Sequence, residues 1–308
     1  MRGMLPIAVS EGVNVYCPRD GKFSFFNSPY PAHHLGTGVD VYPKRDFGEK
    51  APSPVGGRVV KIRRLQCPEG RGFQDSGFDC LTLVRSSENP KRLIKILHVA
   101  PTVQCGGVVE PGQELGRLLR SGYFDFWTEP HLHVEVREPS DPLRVRGGFP
   151  FHSLLKVNEK GPVEELRGTV TETKPEYSIL ALKGRFQHGI PADVGGRTGL
   201  LDGGIPHYGW VGAHMSEAPS PGRAIKLCGK PIATIKTIRN NTCLAECTGF
   251  SIKASGIRVG LSLYLFPASQ PAIKLVPSRL GALKLKKSGE TTLVIAYKEG
   301  ASQAHAIA

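Results

Sequence analysis

Between about residue 37 and residue 137 the chain shows almost no helical periodicity. It runs instead through short alternating or β-branched stretches, GVDVY, PVGGRVVKI, DCLTLVR, RLIKILHV and HLHVEVR, separated by Gly, Pro or Asn. Segments this short and this punctuated bury their apolar side chains by pairing into sheets, with alternate residues facing the core. The 37 glycines and 25 prolines supply the turns. The expected fold is therefore mainly β, an antiparallel sheet or sandwich.

A length of 308 residues exceeds what one core usually organises. The stretch KVNEKGPVEELRG, which combines charge, Gly and Pro without strand or helix period, marks the predicted boundary. Residues 1–155 are expected to form one domain and residues 161–308 a second β-rich domain. Strands in the second are predicted in EYSILALKGRF, RAIKLCGKPIATIKTI, GIRVGLSLYLF, PAIKLV and TTLVIAY. The glycine-rich run GRFQHGIPADVGGRTGLLDGGIPHYGWVGAHM reads as solvated loop, and His188, His207 and His214 within it have irregular spacing and no evident carboxylate partner. The second domain carries no catalytic motif and is expected to serve recognition or assembly.

Lys and Arg total 40 against 27 Asp and Glu, a net charge of +13 that suits an acidic polymer as partner. The basic residues are spread along the chain rather than clustered. No stretch approaches the roughly 20 apolar residues of a membrane span. The opening run LPIAV is broken at once by Ser10 and Glu11, too short for a secretory signal, so a cytoplasmic location is expected. Seven cysteines without a C-x-x-C pair indicate thiols rather than a disulfide framework or zinc ribbon.

HLHVEV carries the chemistry. On a strand His131, His133 and Glu135 share one face, and Leu132, Val134 and Val136 the other. That pattern alone favours a half-solvated strand, and it makes a metal site if other ligands reach the same face. Upstream, PAHHLGTGVDVYP offers His33, His34 and Asp40 beside glycines, and ILHVAP offers His98 at the end of an apolar strand. Imidazoles and carboxylates are the N and O donors that zinc prefers.

The order H…G-x-D, a strand ending in LH, V-x-P-G-Q-x-L-G and H-L-H-V-E-V resembles the M23 family of zinc metallopeptidases, the lysostaphin and LytM type, over roughly residues 33–137. The resemblance implies a Zn²⁺ held by His34, Asp40 and His133, with His98 and His131 assisting catalysis. One of these would act as proton carrier and the other as oxyanion stabiliser. It implies an endopeptidase that hydrolyses glycine-containing or peptidoglycan-like peptides with a metal-bound water. The alternative is a catalytically inactive module of the same kind that serves binding or assembly.

The chain departs from the family's pattern in two places. Five residues, LGTGV, separate His34 from Asp40, more than the family usually has; His33 also stands within reach, and His34 is taken as the nearer. The aromatic run SGYFDFWTEP replaces a small, glycine-rich loop before H-L-H, so Tyr123, Phe124, Phe126 and Trp127 are candidates for a groove wall. A further likeness, of APSPVGGRVVKI and VEPGQELGRL to the half-motifs of biotinyl/lipoyl carrier domains, lacks the lysine that a carrier needs between them. It bears on turn architecture alone.

Overall fold

The computed structural model describes residues 3–157, 161–217 and 219–297. The chain divides into two units, both built of β-strands. One ends at Leu155 and takes in Leu265–Ser269; the other holds the chain from Lys156 to Tyr264 and from Gln270 onward.

The first unit is organised by an antiparallel seven-stranded sheet. Its order is Val108–Val109, Gly57–Leu65, Asp79–Ser86, Leu93–Leu97, Leu132–Arg137, Val39–Tyr42 and Lys22–Ser24. Alternation decides its faces. Leu132, Val134, Val136, Val39, Val41, Ile94 and Ile96 are all essentially inaccessible to solvent and form the apolar side. Each such side chain contributes about 1.5–3 kcal/mol by leaving water. The register of the central pair sets His133 opposite Asp40 and Glu135 opposite Lys95. A slip of one residue would turn this polar row into the apolar core, so the hydrophobic pattern itself fixes where the histidines meet the aspartate.

Two three-stranded sheets complete this unit. Met4–Ser10, Val13–Pro18 and His152–Ser153 form one, and Lys50–Pro52, Glu114–Leu118 and Val99–Pro101 the other. The chain leaves the large sheet at Leu97 and enters the second small sheet at Val99. His98 makes that corner with φ of 71°, a left-handed conformation uncommon outside glycine. Leu265 exchanges backbone hydrogen bonds of 2.8 Å with Phe23, which ties its short segment to this unit.

In the second unit every predicted strand forms, and the glycine-rich run departs from its reading as loop. It supplies three strands, Ile190–Val194, Arg197–Ile205 and Trp210–His214. They belong to a twelve-stranded antiparallel sheet in which Ile190–Val194 also pairs with Arg197–Ile205, and Ile257–Leu263 with Ala272–Pro277. These two pairings close the sheet into two six-stranded rings joined between Arg197–Ile205 and Ile257–Leu263. Glycines in the run had hidden its period: Ile190, Leu200, Leu201, Val211 and Ala213 are fully buried, while Gly199 and Gly204 allow close approach of Met215 and Tyr208. His214 also has the carboxylate partner not evident in the sequence, Asp202 at 3.2 Å, and both are buried. The described cysteines are free thiols. No described helix is long and apolar enough to cross a membrane.

Candidate metal centre

Three elements bring the site together. A single helical turn, Pro31–His34, begins on a proline, which suits a first helical position because the missing N–H would be unpaired there anyway. Successive residues of a helix point about 100° apart, so two adjacent histidines cannot both enter one site. His33 is the one that turns inward, 2 % exposed, with Nδ1 2.8 Å from the Phe25 carbonyl. His34 is only half-buried. The structure thus groups His33 with Asp40 and His133, where the sequence reading took His34 as the nearer. Counting along the chain favoured the nearer histidine, but the helical turn takes up the extra residues.

The carbonyl of Phe25 accepts the Nδ1 proton of His33 and leaves its Nε2 lone pair facing the other two groups. His33 Nε2 lies 3.1 Å from His133 Nδ1 and 3.4 Å from Asp40 Oδ1, and His133 Nδ1 lies 2.9 Å from Asp40 Oδ1. A tetrahedral zinc with bonds of about 2.0–2.1 Å needs ligand atoms about 3.3 Å apart. The two imidazole nitrogens and one carboxylate oxygen therefore fit a zinc ion in both spacing and chemistry. Gly38 makes room for them. A Cβ there would stand 2.6 Å from His133 Cε1 and 3.1 Å from the Ala32 Cβ. Gly38→Ala is expected to destabilise the metal-free protein by about 1–3 kcal/mol and to weaken zinc binding by displacing the His133 ring, as read by denaturant unfolding and zinc titration.

The row of polar side chains behind the site is buried rather than solvated. His133 Nε2 is 3.2 Å from Glu135 Oε1, and Glu135 is held in turn by Lys95 Nζ at 2.7 Å and Arg137 Nη1 at 2.9 Å. Arg137 is wholly buried and also donates to the backbone carbonyls of Asp141 and Arg146. Glu135 therefore orients the second imidazole through the nitrogen that faces away from the ligand cluster. The sequence places Glu135 on the face of the two histidines and points to no role for Lys95 or Arg137.

His131 and His98, the two histidines assigned to catalysis, lie beside this cluster. Their ring centroids are 5.0 Å apart, and His98 is 6.3 Å from His133. His131 gives its Nδ1 proton to the Glu129 carbonyl at 2.8 Å and turns Nε2 toward Asp40 Oδ2 at 3.7 Å. Phe124 stacks on His131 at 4.8 Å and meets His98 edge-on at 4.7 Å. Of the aromatic run, Phe124 is thus the ring that packs on the histidines, while Phe126 and Trp127 pack on each other at 4.7 Å.

Burial and charge compete at Asp40, His131, His133 and Glu135. Burial would raise the Asp40 carboxyl, but His33, His131 and His133 together hold it well below the usual carboxylate range. Burial likewise opposes the charges of His133 and Glu135, yet their mutual hydrogen bond and their other partners prevail. His133 is held up to about 9 and Glu135 down to about 2. For His131 burial wins, pulling it down to about 4 against the attraction of Asp40. Measured against an ordinary 6.5, His133 stabilises the folded metal-free protein fully below that pH and loses the contribution as pH rises through about 9. Glu135 contributes above its ordinary 4.5 and loses the contribution as pH falls through about 2.

A zinc ion bound at His133 Nδ1 would have to displace the proton there. Apparent zinc affinity is therefore expected to strengthen by about tenfold per pH unit as pH rises toward about 9 and then to level, in competition titrations with a chelator. A profile flat across neutral pH would contradict a raised His133.

No curated protein matches the chain. Among solved structures, the NMR solution structure of lysostaphin aligns at a TM-score of 0.27 and 16 % identity, covering 74 % of this chain and 94 % of that one. At that TM-score the alignment transfers neither fold nor activity. The family described as "Domain of unknown function (DUF8155) N-terminal domain" matches residues 13–153, the stretch that holds His33, Asp40, His98, His131, His133 and Glu135.

Proposed function

We propose that the first unit is a zinc-dependent endopeptidase of the M23 kind, with His33, Asp40 and His133 as metal ligands and His131 and His98 as catalytic groups. The observation that carries the reading is the convergence of three ligand atoms within 4.8 Å of one another, beside two further imidazoles. When bound, zinc supplies a Lewis acid that activates water and polarises a peptide carbonyl.

The chain's own groups do the rest. Glu135 accepts the Nε2 proton of His133 and keeps its Nδ1 directed at the ligand cluster. The Glu129 carbonyl fixes the Nδ1 proton of His131, so His131 Nε2 is the atom that takes up and returns a proton. Burial keeps His131 neutral and ready to accept. We assign His98, across a 5.0 Å ring separation from His131, the role of a second acid–base imidazole. Phe124 covers both rings and limits water around them. The substrate class, glycine-containing or cell-wall-type peptide, rests on the sequence resemblance.

The test is hydrolysis by the zinc-loaded full chain of a panel of glycine-containing peptides and purified cell-wall fragments, with zinc content measured on the same sample. Cleavage that a chelator removes and zinc restores is the expected result. Stoichiometric zinc with no hydrolysis of any peptide would favour the binding module instead.

A further inference from the structure

Asp79 was not among the residues singled out in the sequence, yet its carboxylate is one of the most fully bonded in the first unit. It opens the strand Asp79–Ser86 and is 1 % exposed. Its Oδ1 accepts the backbone N–H of Cys80 at 2.7 Å and of His98 at 3.0 Å. Its Oδ2 accepts from Ser121 Oγ at 2.8 Å and lies 2.7 Å from His98 Nδ1. Asp79 thus binds His98 twice, by backbone and by ring, at the one position where His98 takes a left-handed φ of 71°. A left-handed non-glycine residue costs free energy that its surroundings must offset.

We propose that Asp79 is the positioning residue of His98: it holds the corner between the two sheets and fixes the tautomer with the proton on Nδ1, so that the Nε2 lone pair faces the space shared with His131. An ionised carboxylate can only accept hydrogen bonds, so the ring nitrogen beside it must carry the proton. Burial alone would raise the Asp79 carboxyl, but His98, Ser121 and the Cys80 N–H outweigh it and hold it down to about 2. The part played in hydrolysis rests on the endopeptidase reading; the tautomer and the held corner do not.

Asp79→Asn separates this role from simple packing. Two backbone N–H donors occupy Oδ1, so the amide oxygen of the variant stays with them and its NH₂ group faces His98 Nδ1. The ring must then accept at Nδ1 and move its proton to Nε2. The spectroscopic readout is the long-range ¹H–¹⁵N correlation of the histidine ring in metal-free protein under alkaline conditions. Wild type should show the Nδ1–H form of His98, Asp79→Asn the Nε2–H form, and Ser121→Ala, which leaves the carboxylate in place, the wild-type form.

In the zinc-loaded protein Asp79→Asn should keep its metal and KM while kcat falls by about 10²-fold or more, the usual worth of a positioned acid–base group. Wild-type His98 in the Nε2–H form would overturn the proposal even if the variant failed to fold. So would an unchanged tautomer in a folded Asp79→Asn. Absence of hydrolysis in wild type with the expected tautomers would overturn the endopeptidase reading and leave the positioning role standing.

Discussion

Replacing His33 by alanine is expected to remove zinc binding and hydrolysis together, while replacing His34 is expected to leave zinc content and the larger part of activity in place. The expectation follows from the helical turn Pro31–His34, which sends the His33 ring to Asp40 and His133 and leaves His34 half-buried to one side. Without His33 only Asp40 and His133 remain, one fewer than the three protein ligands of a catalytic zinc site. The loss of affinity should therefore exceed the roughly 10- to 100-fold that removal of an outer partner costs. Zinc content by mass spectrometry after dialysis, on both variants and on wild type, reads this directly. Zinc lost from His34→Ala and kept in His33→Ala would restore the ligand that counting along the sequence favours.

The second large effect lies with the histidines that are not ligands. His131→Ala and His98→Ala should each keep zinc, yet turnover should fall by about 10² to 10⁴ because a positioned acid–base imidazole is missing. The separation from the ligand variants is the point. His131 Nε2 stands 3.7 Å from the carboxylate of Asp40, and its Nδ1 is committed to the Glu129 carbonyl. Its removal thus leaves the three converging ligand atoms intact. If His131→Ala also lost its zinc, His131 would be a ligand and the division of roles would be wrong.

Much of this site was legible in the sequence because strand alternation is a strict rule. HLHVEV could put His133 and Glu135 on one face and Val134 on the other in only one way, and GVDVY did the same for Asp40. Pairing those two strands with their apolar sides together left the carboxylate opposite the imidazole. The choice of His33 over His34 was not legible, because it depended on one turn of helix inside a run that otherwise reads as loop. Asp79, Lys95 and Arg137 were missed for another reason. Asp79 and Lys95 read as ordinary polar strand positions whose roles appear only when residues distant in sequence supply the partners, and Arg137 reads as a solvated strand end although it is wholly buried against Glu135. In the second unit glycines between apolar residues masked three strands, since a residue without a side chain gives no period to count.

The central claim is that His33, Asp40 and His133 converge on a single metal ion. X-ray absorption at the zinc edge of the loaded full chain tests it most directly. The predicted nearest shell holds only nitrogen and oxygen at about 2.0–2.1 Å, with the outer-ring scattering of two imidazoles. A shell containing sulfur at about 2.3 Å would move the metal to the cysteines and contradict the site.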